Sequence, residues 1–192
     1  MTRQVASGST PLNYQWQRNQ VNITGATSPS YTITSASFSD NGVKFRCVVS
    51  NGFGTATSNE ATLTVQPPPP ILQTEENTDH AIAFDSFTMM RDPFPLTNTF
   101  NFSSDSRTRI MLFAVNLDLL PGEDSTAVTA RAEDSQLNLY PLTVEYVGAV
   151  PGFGWLTQVI VELPDNLPTG QDVLVSVTWH AQTSNKSRIT TK

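Results

Sequence analysis

The sequence predicts an all-β protein of two β-sandwich domains in tandem, because three features recur along the chain. Apolar residues alternate with polar ones at period two, as in "NYQWQ" and "DVLVSVTWHA". Turn signals rich in Gly, Asn, Asp and Pro separate these runs at short intervals. No segment shows a sustained helical period. Short alternating strands with regular turns are typical of a sandwich.

Residues 67–70 are consecutive prolines and mark the predicted domain boundary. Proline lacks a backbone N–H and fixes φ, so this run cannot continue a sheet ladder and favours a semi-rigid, extended spacer. The predicted domains are therefore residues 1–66 and residues 71–192, with residues 67–70 as a Pro-rich linker.

The net charge of −6 is unevenly distributed. Residues 1–66 carry four Lys/Arg and two Asp/Glu, which gives +2, whereas residues 71–192 carry seven and fifteen, which gives −8. An acidic domain repels phosphate, so nucleic acid is not an expected partner. No apolar run is long enough to cross a bilayer, so membrane insertion is not expected either. Residues 1–20 contain no apolar signal-peptide core.

In the first domain, Trp16 ends an alternating run, and "DNGVKFRCVVSNGFG" supplies Asp40, Gly42 and Cys47 before a Gly-containing hairpin. This wording resembles an immunoglobulin-like domain of the I-set kind. It is similar to such repeats in large bacterial surface and secreted proteins. The resemblance covers about residues 4–66. It implies that Trp16, Asp40, Gly42 and Cys47 are structural residues of an Ig-like sandwich.

The chain departs from that family at its cysteines. The resemblance implies an earlier Cys near Gln4 or Val5, and the sequence has only Cys47. We therefore expect Cys47 to pack against Trp16 as a small apolar residue; a reactive or intermolecularly paired thiol is the alternative. Few residues precede "VASG", so the first domain is expected to be N-terminally truncated, lacking its first strand or strands. An open edge that invites association would follow.

The second domain carries its own resemblance, in "FSSDSRTRIMLFAVNLDLLPGED" and "YVGAVPGFGWLTQVIVELPDNLPTGQDVLVSV". These segments resemble an uncharacterised Ig-like (TIG-like) C-terminal domain of secreted proteins from soil bacteria. The resemblance implies an extracellular or cell-surface location, with a signal sequence upstream of this fragment. The polar ending "SNKSRITTK" predicts a frayed or shortened last strand.

Catalytic motifs such as G-x-S-x-G, H-E-x-x-H and the P-loop are absent from the sequence, so we predict no enzyme and no catalytic or cofactor-binding residues. His180 is expected as an exposed polar residue on a strand face with Thr178 and Ser176. An acidic cluster near the linker could hold calcium, although a solvated loop explains it more simply. Its members are Glu75, Glu76 and Asp79.

Exposed aromatic residues are the remaining candidates for binding. Phe153 and Trp155 lie in "PGFGW", with Tyr140 earlier in the chain. Coplanar exposed rings would offer a stacking platform for sugars, whereas Trp155 could instead cap the core.

The sequence thus predicts a structural, adhesive or display module of a larger extracytoplasmic protein. It would space domains and contact other domains of its parent protein or surface proteins. A polysaccharide-binding accessory module of a secreted hydrolase is the alternative.

Overall fold

The computed structural model describes residues 2–3, 7–98 and 105–192. The described residues form β-strands without any α-helix, and their only helical segments are 3₁₀ turns at Phe38–Asp40 and Ser125–Ala127. None of these helical segments could cross a membrane. The chain divides into two compact units, Met1–Gln66 (unit 1) and Pro67–Lys192 (unit 2). The predicted all-β, sandwich-like character is confirmed.

Unit 1 is built from short strands in two sheets. The larger sheet has the order β3-β2-β5-β6, with β7 also beside β5, and the smaller sheet pairs β1 with β4. Gln4 and Val5, the predicted place of an earlier cysteine, lie outside the described residues. The strands are β1 (Thr2–Arg3), β2 (Asn13–Arg18), β3 (Val21–Asn22), β4 (Ser30–Tyr31), β5 (Lys44–Asn51), β6 (Gly54–Thr57) and β7 (Ala61–Thr62).

The core of unit 1 is small. Trp16 and Cys47 lie opposite each other on β2 and β5 and are 3% and 0% exposed. Val49, two residues further along β5, points to the same side and completes the buried cluster. Partly buried apolar residues surround it: Leu12, Tyr14, Ile23, Ala26 and Tyr31.

Unit 2 forms a nine-stranded arrangement in which one long strand belongs to two sheets. Residues 139–142 of that strand pair with β11, and residues 143–150 pair with β13. The strands are β8 (Ile71–Leu72), β9 (Ala83–Asp85), β10 (Arg109–Val115), β11 (Val128–Glu133), β12 (Leu139–Val150), β13 (Phe153–Glu162), β14 (Asp172–Trp179), β15 (Gln182–Thr183) and β16 (Ser187–Thr190).

Alternating side chains of the central strands fill the core of unit 2. On β10, Ile110, Leu112 and Ala114 are buried while their neighbours are partly exposed. One face of β14, in the alternating segment "DVLVSVTWHA", is buried along its whole length. The residues of this face are Val173, Val175, Val177 and Trp179.

The two ends of the strand order in unit 2 are bridged to each other. The side chain of Asn185 accepts from Leu72 N at 2.8 Å and donates to Leu72 O at 3.2 Å. Both backbone groups of this β8 residue therefore have a hydrogen-bond partner. Parallel bridges join His80 to Arg188 and Phe94 to Thr191. Backbone groups at the ends of both sheets are thereby paired.

Unit 2 differs from the sequence prediction at its last strand. The prediction of a frayed ending is wrong: Ser187, Ile189 and Thr191 are 0%, 1% and 1% exposed. β16 pairs with β14 over residues 187–190. Thr191 Oγ1 donates to Pro168 O at 2.6 Å, so its hydroxyl is buried with a partner.

The segment predicted as a linker groups with unit 2. Pro67 and Pro70 are buried, and Pro69 O accepts from Asn116 Nδ2 at 3.4 Å. Pro70, the last of these prolines, is therefore packed within unit 2, directly before β8.

Candidate functional site

The sequence-predicted structural residues of unit 1 occupy its core and one turn. Trp16 Nε1 donates to Ser28 O at 2.9 Å, so its polar atom is satisfied while its ring is buried. Burial raises the pKa of the Cys47 thiol. The structure describes Cys47 as a free, buried cysteine. A buried thiol with a raised pKa is a poor nucleophile, which favours a packing role.

Asp40 and Gly42 shape the turn before β5. Ser37 N donates to Asp40 Oδ2 at 2.9 Å, and Arg18 Nη2 donates to Asp40 Oδ1 at 2.6 Å. The hydrogen bond from Ser37, followed by the charge of Arg18, holds the pKa of Asp40 below its usual value. Gly42 has a φ of 82°, which a side chain would disfavour, and its N–H donates to Leu63 O.

Two of the three acidic candidates near the predicted linker form ion pairs with arginines. Glu75 pairs with Arg91, and Asp79 Oδ2 accepts from Arg188 Nη2 at 2.8 Å. The hydrogen bond from Arg188 lowers the pKa of Asp79. Glu76 is exposed. In the described ranges, no three His, Cys, Asp or Glu side chains are grouped so that they could hold a metal ion.

The histidines lie in two separate carboxylate pairs. His80 Nδ1 is 3.4 Å from Asp92 Oδ2, and His180 Nε2 is 2.7 Å from Glu123 Oε1. His180 belongs to the turn after β14, with a φ of 47°, and not to a strand face; that prediction is wrong. The reason is the two-residue connection to β15, which needs left-handed backbone.

Glu123 anchors that turn. Besides the imidazole of His180, its carboxylate accepts from Trp179 Nε1 at 3.2 Å and from Leu120 N at 2.9 Å. Burial opposes ionisation, but these hydrogen bonds outweigh it and lower the pKa of Glu123. The carboxylate is thus held in its charged form as a link between two turns.

Two aromatic residues come together at the end of the β12–β13 hairpin, whose turn is Pro151–Gly152. Phe153 is 52% exposed and Trp155 is 64% exposed. Their ring centroids are 6.2 Å apart and their planes cross at 88°. The pairing of β12 with β13 is irregular after Ala149, so residues 154–156 bulge from the ladder. We call Phe153 and Trp155 the aromatic tip.

Tyr140 is not part of the aromatic tip. Its hydroxyl donates to Asp134 Oδ2 at 2.9 Å, and it lies near the start of β12, opposite Ala132 of β11. At about 3.3 Å per residue, the strand carries the chain roughly 35 Å from Tyr140 to the hairpin turn. The structure therefore brings two of the three aromatic candidates together and leaves Tyr140 as support for the β11–β12 turn.

Sequence reasoning missed an ion-pair network on unit 2. Arg109 contacts Asp105, Glu145 and Glu162 at 2.8–2.9 Å. Arg107 contacts Glu162 and Asp165 at 2.7 and 2.8 Å. Apart from the Asp105–Arg109 pair, these contacts join residues that are far apart in the chain, so the sequence spacing does not predict them. Their hydrogen bonds and charges raise the pKa of both guanidinium groups above the usual range.

Sequence reasoning also missed the exposed aromatic residue Phe53, although a repeated tripeptide could have indicated it. Gly-Phe-Gly occurs at residues 52–54 and again at residues 152–154, in a hairpin of each unit. Phe53 is 89% exposed in the first and Phe153 is 52% exposed in the second. The small flanking glycines leave each ring uncovered.

Comparison with known proteins finds no matching family model and no curated protein of significant similarity. The resemblance of both units to immunoglobulin-like domains accordingly stays a prediction from the sequence. The aromatic tip places two exposed rings side by side, and its chemistry is suited to recognition because aromatic residues are enriched at the centres of protein interfaces.

Proposed function

We propose that this protein is a non-enzymatic structural and adhesive module of a larger extracytoplasmic protein. Its role is to space neighbouring domains and to contact surface proteins. The observation that carries the proposal is the aromatic tip, where Phe153 and Trp155 expose more than half of their surface at the end of a hairpin.

The aromatic tip is prepared for binding by the strands beneath it. β13 pairs with β12 on one side and with β10 on the other, so the hairpin is anchored in the middle of the sheet order. Gly152 has a φ of 82°, which suits the tight turn. The ladder is paired at Phe153 and from Thr157 onward, so the backbone on both sides of Trp155 is anchored and less conformational freedom is lost on binding.

The acidic charge of unit 2 bears on the kind of partner. Its residues sum to −8, so polyanions such as nucleic acid would be repelled. The tip itself consists of apolar rings beside glycines. An apolar pocket or groove on a protein suits it best.

Binding to polysaccharide is the second candidate, because exposed Trp and Phe side chains also stack on sugars. The rings of Phe153 and Trp155 are nearly perpendicular, at 88°. A flat stack of successive sugar rings needs coplanar platforms, so this geometry offers one ring at a time. A protein partner therefore ranks first.

The test is retention of the full-length protein on intact bacterial cells and on insoluble polysaccharides. Trp155→Ala and Phe153→Ala are expected to reduce retention on cells by about tenfold. Phe87→Ala, which removes a half-exposed ring from the turn after β9 in the same unit, is the matched control and is expected to have no effect.

Treatment of the cells with protease separates the candidates. Loss of retention after proteolysis supports a protein partner. Retention on cellulose, chitin or peptidoglycan that depends on Trp155 would establish the polysaccharide alternative instead. Retention that is insensitive to both tip substitutions would refute the proposed contact surface.

A further inference from the structure

The outer edge of β6 is an unpaired strand edge. β6 ends the larger sheet of unit 1: it pairs with β5, and no described strand pairs with its other side. Ser58 N donates to Cys47 O at 2.9 Å, which fixes the alternation of the ladder. Since successive residues of an antiparallel strand point their backbone groups to opposite sides, those of Thr55 and Thr57 point away from β5.

A groove runs beside this edge. It has a volume of about 460 Å³ and lies between β6 and the segment around Gly8 and Leu12. Leu12, Val49 and Ala56 give it an apolar floor; Ala56 is directly opposite Val49 on β5. No charged side chain is among the residues that line it.

We propose that the β6 edge and this groove bind an extended polypeptide segment, which adds to the sheet as a further strand. The outward N–H and C=O groups of Thr55 and Thr57 can form hydrogen bonds with the backbone of an added strand. The apolar floor favours a segment with apolar side chains at every second position. The uncharged lining favours a neutral segment, because a buried charge would have no partner there.

The side chains of β6 itself argue against a second copy of this edge as the occupant. β6 reads Gly-Thr-Ala-Thr, and its inward positions are small. Pairing two such edges would satisfy backbone groups but leave the groove unfilled. A segment with Val or Leu at alternate positions satisfies the edge and fills the groove.

β6 is short, but it lacks the side-chain features that usually protect an edge strand. Neither Lys, Pro nor an inward charge occurs in Gly54–Thr57, and all four residues are exposed. This surface belongs to unit 1, whereas the aromatic tip belongs to unit 2, so the inference stands independently of the function proposed above.

The experiment is a titration of the full-length, ¹⁵N-labelled protein with a blocked peptide of alternating Thr and Val. Binding is expected to shift the amide signals of β6 and to slow hydrogen exchange at Thr55 and Thr57 by about tenfold or more. A peptide with the same side chains, N-methylated at alternate amides, keeps the apolar contacts but cannot pair, and is expected to bind at least about tenfold more weakly.

Ala56→Lys places an unpaired charge on the groove floor and is expected to weaken peptide binding by about tenfold or more. Val21→Lys adds the same charge on β3, the opposite edge of the sheet, where Val21 is 70% exposed, and is expected to leave binding unchanged. Both variants change exposed residues, and the amide spectrum of each verifies its fold.

The inference is overturned by an absence of peptide binding at millimolar concentration, or by equal binding of the N-methylated peptide. Concentration-dependent dimerisation that Ala56→Lys abolishes would replace the peptide by a second copy as the occupant. Sedimentation of the unliganded protein measures this. None of these outcomes alters retention through the aromatic tip, so failure here and failure of the proposed function are distinguishable.

Discussion

Units 1 and 2 have the same kind of alternating strands but treat their edges and cores differently. Unit 1 buries a small cluster around Trp16, and none of its described strands pairs with the outer side of β6. Unit 2 buries side chains from most of its strands and bridges its sheet ends through Asn185 and the Arg188 and Thr191 pairings. The difference shows that the fraction of residues in strands does not determine the stability of a unit. The size of its core and the pairing of its edge strands do.

The comparison also suggests that the two units are suited to different kinds of contact. An open edge beside an apolar groove is suited to receiving another chain, whereas a closed unit is suited to holding a projecting hairpin in place. Four substitutions test this contrast, from the largest expected effect to the smallest.

Trp16→Ala tests how much of unit 1 depends on one side chain. Removing a buried tryptophan costs about 3–5 kcal/mol of unfolding free energy. Because so few residues share that core, we expect unit 1 to unfold while unit 2 stays folded. The equivalent change in the larger core, Trp179→Ala, is expected to weaken unit 2 without unfolding it. Residue-resolved hydrogen exchange measures both, and simultaneous unfolding of the two units in either variant would contradict the comparison.

Asp85→Asn tests a buried carboxylate of unit 2. Burial raises the pKa of Asp85, but hydrogen bonds from Thr88, Asn98 and Phe87 outweigh it, so the pKa lies below its usual value. Asp85 therefore contributes stability that is present above the unfolded pKa of about 3.9 and is lost as pH falls through the lower folded pKa.

We expect Asp85→Asn to cost about 1–3 kcal/mol at pH 7, because the carboxylate accepts from Phe87 N and Thr88 N at 3.0 and 2.7 Å. The difference from the parent protein should shrink as the pH is lowered below about 4. Urea unfolding at several pH values measures this. A difference that does not change with pH would show that the charge of Asp85 is not what stabilises the turn.

Asn185→Ala tests the bridging of the sheet ends. It leaves the backbone of Leu72 without its two side-chain partners, at a cost of about 1–2 kcal/mol. Amide exchange at Leu72 should accelerate, and unit 2 should begin to self-associate as unpaired backbone becomes accessible. Asn22→Ala, in the exposed strand β3, is the control. Unchanged exchange at Leu72 would show that Asn185 does not close this edge.

Thr108→Val tests whether a buried hydroxyl without a hydrogen-bond partner lowers the stability of unit 2. The Thr108 hydroxyl is buried, at 0% exposure, and has no hydrogen-bond partner among the described residues. Replacing it with a methyl group is expected to stabilise unit 2 by about 1 kcal/mol. Thr129→Val, on the exposed side of β11, should change stability much less. Thermal unfolding compares the two, and destabilisation by Thr108→Val would reveal a partner for that hydroxyl.

The sequence predicted the strands that have clean alternation and missed those defined by long-range partners. β14 follows its pattern because every second side chain enters the core. The alternating segment "HAIAFDSF" forms only the short strand β9, because Asp85 accepts from two backbone amides that follow it and turns the chain. The end of the chain has a polar sequence, but Thr191 is buried because its hydroxyl donates to Pro168 O, a partner that the sequence alone cannot place nearby.

The candidate sites followed the same rule. Exposure of the aromatic tip was foreshadowed by the glycines around Phe153, which are local in the chain. Engagement of Glu75 and Asp79 by Arg91 and Arg188 depends on distant segments, so the acidic cluster looked available for calcium. The groove beside β6 arises from two separate stretches and has no motif.

β12 has a consequence for how unit 2 comes apart. Its first third pairs with β11 and the remainder pairs with β13. Unfolding of either sheet therefore removes the pairing of part of β12 and destabilises the other sheet. Heat or denaturant should therefore melt both layers in a single cooperative step, with no half-unfolded form in which one sheet survives alone. A domain of this kind stays folded until it unfolds completely, which suits the spacing role proposed above.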